Sequence, residues 1–204
     1  MLQGQLLYVM GAPGTGKAAL LAEARRQLQD ESTIVFAPRY VTRPRTSRDN
    51  PGDVLIGRHQ FVTRYWAREF ALHWEHSGAF YGLGKEIDGW LREGQRVVVN
   101  GSRHYLSRAR ADYPGLRPVL IDAPAPVVRM ELRRQGLSGE LLEQRLEREE
   151  YYTGLAALGM VRVVNRGVLA EAAARLVDVL LHSVTPLAGP LPGPGLPRQY
   201  ARSG

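Results

Sequence analysis

The chain predicts an α/β fold with a parallel β-sheet core flanked by helices. Three observations carry this. Short apolar runs alternate with longer segments whose apolar residues recur every three to four positions, the pattern of a strand–helix–strand chain. The runs are apolar almost throughout, as in Val97, Val98 and Val99, which suits strands buried on both faces. A glycine-rich turn joins the first run to the first periodic segment.

In chain order, Gln5 to Met10 reads as the first strand and Lys17 to Gln29 as the first helix. Thr33 to Pro38 is the second strand. The stretch from Arg39 to Trp90 is polar, aromatic and rich in arginine. It is far longer than an ordinary connection, so it predicts an inserted subdomain over about 39–90. Strands return at Arg96 to Asn100, Pro118 to Asp122 and Val161 to Asn165. Helical patterns cover Val127 to Arg134 and Glu140 to Tyr151, around the break Gly136-Leu137-Ser138-Gly139, which predicts a hinged flap over about 129–151. Val168 to His182 is the last helix. Residues 1–182 thus read as one domain. Residues 183–204 carry five prolines and four glycines with little to bury and predict a disordered tail.

Composition narrows the function classes. A length of 204 residues with 44% hydrophobic and 23% charged residues and a mean hydropathy of -0.25 fits an ordinary globular protein. No apolar run reaches 18 residues and the N-terminus lacks a leader pattern, so a cytoplasmic setting without membrane attachment is the expectation. The absence of cysteine excludes thiol nucleophiles, disulfides and thiolate metal sites. A net charge of +7 and a pI near 10.0 suit either nucleic acid or a small, heavily phosphorylated substrate. Of 27 basic residues, only Lys17 and Lys85 are lysines, so a lysine in this chain stands out.

Lys17 closes the run Gly11-Ala12-Pro13-Gly14-Thr15-Gly16-Lys17. A glycine-rich loop between a strand and a helix lets backbone N–H groups turn toward phosphate oxygens. The helix dipole adds to the attraction, and the lysine reaches the terminal phosphates. The run therefore predicts a nucleotide site over Gly11 to Ala18. Where such loops normally follow the lysine with a Ser or Thr that touches Mg²⁺, this chain has Ala18. The ion is then expected to rest on phosphates and water, with carboxylates or amides elsewhere supporting it.

The phosphate loop, the arginine-rich insertion and the arginine-bearing flap together resemble the nucleoside monophosphate kinases, specifically the guanylate kinase family. The matching stretches are Tyr40-Val41-Thr42-Arg43-Pro44, Phe70 to Gly82 with its ending Gly78-Ala79-Phe80-Tyr81-Gly82, and the strand ending at Asn100. Within that group, RYVTRP from Arg39, FALHWEHSGAFYGLGKEIDGWL from Phe70 and VVVNGSR from Val97 are most similar to the ribose 1,5-bisphosphate phosphokinase family. The resemblance spans Leu6 to Leu181. It implies a P-loop kinase fold with an acceptor-binding insertion and an arginine-bearing lid. It also implies ATP-dependent, Mg²⁺-supported phosphorylation of ribose 1,5-bisphosphate to 5-phosphoribosyl 1-diphosphate, in phosphonate catabolism. A guanylate kinase or another small-molecule kinase is the alternative, a partner-binding module that has lost catalysis a second, and nucleic-acid binding a third.

The resemblance also assigns residues. Arg43 and Tyr81 match phosphate-binding positions, and Arg39 replaces a small hydroxyl residue, which suits an acceptor carrying more charge. The two positions that read guanine correspond to Leu72 and Leu83, which can neither donate nor accept those hydrogen bonds, so GMP should be a poor substrate. A second insertion arginine would fall at Thr46, with Arg45 and Arg48 nearby. The acidic residue near the acceptor becomes Asn100, which either holds a sugar hydroxyl or metal-bound water or simply favours the turn before Gly101. Arg134 and Arg145 stand where lid arginines are expected, although strict alignment places Gln135 at the first. Pairing with Glu131, Glu143, Glu147 or Glu149 on a solvated helix is the plainer reading of each. His73 and His76 flank Trp74 and read as packing or sugar contacts. His59, His104 and His182 have no metal-ligand spacing. The aromatic set Trp66, Phe70, Trp74, Phe80 and Tyr81 reads as packing inside the insertion.

Overall fold

A computed structural model describes residues 4–44, 51–144, 146 and 160–182. Arg45, Thr46, Arg48, Arg145 and the segment 183–204 lie outside the described residues. Five parallel strands form the main sheet in the order β2-β7-β1-β8-β9. They are β1 (Gln5–Gly11), β2 (Ile34–Phe36), β7 (Arg96–Asn100), β8 (Arg117–Asp122) and β9 (Val161–Val164). These are the five predicted runs. The sheet is built around β1, whose Leu6 to Met10 are all buried and which is paired on both edges, Leu7 lying opposite Val98 and Arg117.

Each face of the sheet has its own cluster. On one, Leu7, Val9, Val98, Val119 and Ile121 gather with Leu20 and Leu21 of α1 (Lys17–Gln27) and Leu176 and Leu180 of α7 (Leu169–Leu181). On the other, Leu6, Tyr8, Val97 and Val99 gather with Ile87 of α3 (Glu86–Arg92) and Leu106 of α4 (Leu106–Asp112). A fully buried leucine in such a cluster is favoured by about 1.5–3 kcal/mol over an exposed one. Arg96 ties the end of α7 down, its Nη1 donating to the carbonyls of Leu180 and Leu181.

Within the predicted insertion lies a second sheet, ordered β4-β3-β6-β5: β3 (Arg39–Val41), β4 (Asp53–Leu55), β5 (Phe70–His76) and β6 (Ala79–Gly84). Helix α2 (Arg58–Trp66) covers it, and Phe61 stacks on both Phe70 and Phe80. The hairpin β5–β6 turns through Ser77 at φ 52° and Gly78 at φ 75°, the two left-handed positions a two-residue hairpin requires. Leu72, Trp74 and Leu83 of this sheet join Leu6, Val97 and Ile87 in a single apolar cluster. That seam fixes the insertion over the main sheet. The expected packing role holds for Phe70 and Trp74, but not for Trp66, which is 76% exposed at the end of α2. Helix α3, included in the predicted insertion, packs instead into the main cluster through Ile87.

The flap begins with α5 (Ala125–Arg134). After a turn at 135–136 the chain is helical again over 139–144, numbered α6 here. Val128, Leu132 and Leu142 form its small core, and Arg129 bridges the two helices to Glu143.

Candidate active site

The phosphate loop sits at the carboxyl end of β1, between the sheet and α5. Gly16 adopts φ 80° and Gly14 φ 86°, backbone conformations that L side chains rarely take. A Cβ at Gly16 would lie 2.6 Å from Asn165 Nδ2, and one at Gly14 would lie 3.0 Å from Val128 Cγ1. Thr15 does not face the ligand space: it is buried and its hydroxyl donates to the Ala12 carbonyl at 2.8 Å. Asn165 Nδ2 donates to the Thr15 carbonyl at 3.0 Å. These bonds hold the loop from behind, the Thr15 N–H also donating to the Ala12 carbonyl at 3.4 Å.

Lys17 opens α1 and crosses to the next strand, where its Nζ donates to Asn100 Oδ1 at 2.5 Å. Asn100 is 5% exposed and lines the cleft. It is the tether of Lys17. Burial, reinforced by the charge of Arg39 and of Arg103 and Arg43, lowers the Lys17 ammonium to about 7, with Asp53 alone opposing. An anion entering here would reverse that shift.

Across the space stands Arg39. Its Nε and Nη2 donate to the two oxygens of Asp53 at 3.0 and 2.7 Å, a two-point grip permitted because β3 and β4 pair with Arg39 opposite Asp53. The Asp53 side chain is 1% exposed and also lies 3.9 Å from Arg43 Nη2. The Arg39 guanidinium rests over the Tyr81 ring at 5.2 Å. Tyr81 stacks on Trp74 at 5.6 Å, and Trp74 on Tyr105 at 5.5 Å. Leu72 and Leu83 lie opposite each other in the hairpin and are fully buried.

The loop apart from Thr15, together with Arg39, Arg43, Tyr81, Asn100 and Arg134, lines one cleft of about 620 Å³. Arg134 reaches it from α5, with its guanidinium held by Glu131 at 2.8 and 3.0 Å, and Gln135 lines it beside Arg134. Asp53 escaped the sequence reading because its role depends on strand pairing. Arg103 and His104 line the cleft as well, and of the two residues flanking Trp74 only His76 does, since His73 packs edge-on against Tyr65.

The chain is similar to proteins of known name. A ribose 1,5-bisphosphate phosphokinase of Desulfomicrobium baculatum is 43% identical over 181 residues, covering 88% of this chain and 95% of that protein. The chain belongs to the ribose 1,5-bisphosphate phosphokinase family. Relatives of the same name from Psychromonas ingrahamii and Thiobacillus denitrificans are 38% and 37% identical, over 87% and 88% of this chain and 90% and 94% of their own. No family model matches the chain. Among solved structures, guanylate kinase from Anaplasma phagocytophilum superposes with a TM-score of 0.63 at 19% identity, covering 89% of this chain and 86% of that one. The fold is that of a guanylate kinase-like α/β kinase. Among the described residues, no helix is long and apolar enough to cross a membrane.

Proposed function

We propose that the chain transfers the terminal phosphoryl group of ATP to the 1-phosphate of ribose 1,5-bisphosphate, releasing ADP and giving 5-phosphoribosyl 1-diphosphate for phosphonate catabolism. The observation that carries this reading is the contrast within the acceptor wall. Its guanine-reading positions are leucines sunk in the core, while Arg39 and Arg43 face Lys17 across the cleft. Such a wall rewards phosphate and offers a base nothing to bind.

The work of these residues is placement and charge. The loop N–H groups hold the donor phosphates, and Lys17 leaves Asn100 to follow the phosphoryl group from donor to acceptor. Arg39 and Arg43 hold the acceptor phosphate. One of its oxygens forms the new P–O bond as the bond to ADP breaks, and because that oxygen is already ionised near neutral pH no general base is needed. Arg134 and Arg145 are the lid arginines of this reading, neutralising charge as closure excludes water. Mg²⁺ would arrive on the donor phosphates. Ala18 has no hydroxyl to offer it, and no cluster of three His, Asp or Glu residues occurs among the described residues. No step is assigned to the ion. The setting is cytoplasmic and the partner a phosphorylated sugar rather than nucleic acid.

A coupled ADP-release assay with ribose 1,5-bisphosphate or GMP as acceptor tests this. A preference of at least about a hundredfold for the sugar is expected. Strong GMP turnover with none on the sugar would replace the reading with a guanylate kinase.

A further inference from the structure

An acceptor with phosphates at both ends needs two anion-recognising places, and Lys17, Arg39 and Arg43 supply only the one where reaction occurs. We propose that the rim of the same cleft holds the other: Arg103, His76, His104 and Ser77 form a subsite for the non-reacting 5-phosphate. This rests on the acceptor assigned above.

Two rungs of stacked rings join strand β5 to the short turn Arg103–Tyr105. Trp74 and His76, two positions apart on β5, lie on one side of the strand. Trp74 stacks on Tyr105 at 28° and His76 on His104 with centroids 5.4 Å apart at 18°. The inner rung is Trp74, 8% exposed, and does what packing requires. The outer rung is open to solvent and lines the cleft. A carbocyclic ring would stack there equally well. Imidazoles add N–H donors at a place where, among the described lining residues, Glu131 is the one carboxylate and is already committed to Arg134. Arg103 starts the same turn, close enough for its charge to act on Lys17. Ser77 occupies the hairpin tip in the left-handed region and lines the rim beside His76. A guanidinium, two imidazoles and a hydroxyl facing one space match a phosphate monoester.

The test replaces both histidines with phenylalanine (His76→Phe, His104→Phe), which keeps the stack and removes the donors, and separately makes Arg103→Gln. Ribose 5-phosphate and ribose 1-phosphate serve as competitive inhibitors of the bisphosphate reaction. The subsite requires the Ki for ribose 5-phosphate and the KM for the bisphosphate to rise by about tenfold to a hundredfold. In the double histidine variant the Ki for ribose 1-phosphate should stay within about twofold, since Lys17, Arg39 and Arg43 are untouched; Arg103→Gln, whose charge acts on Lys17, is read by the ratio of the two Ki values. Equal changes for the two monophosphates, or none for either, overturn the subsite alone. If the unaltered chain fails to turn over ribose 1,5-bisphosphate, the acceptor assignment falls and the subsite with it.

Discussion

In the proposed reading, the two walls of the cleft meet phosphate by different means. The donor wall is made of backbone: a loop held open by Gly14 and Gly16 at positive φ and locked from behind by Thr15 and Asn165. The acceptor wall is made of side chains: Arg39 is aimed by Asp53, fourteen residues away, and backed by the rings of Tyr81 and Trp74. A backbone cradle is fixed by local sequence and serves any polyphosphate. A side-chain wall is fixed by strand pairing and can be retuned by a few substitutions, so substrate identity resides there.

Replacing the one charged side chain of the donor wall should have the largest effect. Lys17→Met is expected to lower kcat by about a thousandfold, since it removes the cation that follows the moving charge, read as initial rate with product identified by mass. Unchanged turnover in this variant would take Lys17 out of the mechanism. Asp53→Asn comes next. It keeps the shape and releases the two-point grip, so acceptor kcat/KM should fall by about thirtyfold, mostly through KM, while the KM for ATP holds. A lower acceptor KM instead would mean that raw positive charge matters more than aim. Gly16→Ala strains a left-handed backbone by about 1–2 kcal/mol and crowds Asn165. It should raise the ATP KM by about tenfold and leave the acceptor KM alone, the mirror image of Asp53→Asn.

The smallest effect is a proton. With Lys17 near 7 in the empty cleft, the amine is mostly neutral at pH 8, and bound phosphates favour its charged form. ATP binding at pH 8 should therefore take up close to one proton, and much less at pH 6, where Lys17 is already charged. Calorimetry in buffers of different ionisation enthalpy reads this directly, and Lys17→Met should abolish it.

The same division decided what could be read from sequence. The five core strands and the loop were legible because periodicity and glycine spacing are local signals. The stretch after β2 was legible as a break in the strand–helix rhythm, but its four strands were not: β3 and β4 span three residues each, too short for alternation to register. Asp53 carried no signal, because its partner Arg39 is set by the β3–β4 register. Asn100 was found by resemblance, yet its hold on Lys17 needed β1 and β7 side by side. Trp66 read as packing along with the other aromatic residues of the insertion and stands exposed.

The position of Lys17 against Asn100 also has a chemical consequence. Burial, with the charges of Arg39, Arg103 and Arg43, lowers the Lys17 pKa to about 7, so near neutral pH a good part of Lys17 is an uncharged amine lining the cleft. In a chain with only two lysines, an acylating or aldehyde reagent has few places to go. Lys17 is therefore positioned as a nucleophile toward such reagents, and ATP should shield it. A brief exposure to an activated ester, followed by peptide mapping, would turn the rare lysine into a reporter of whether the donor wall is filled.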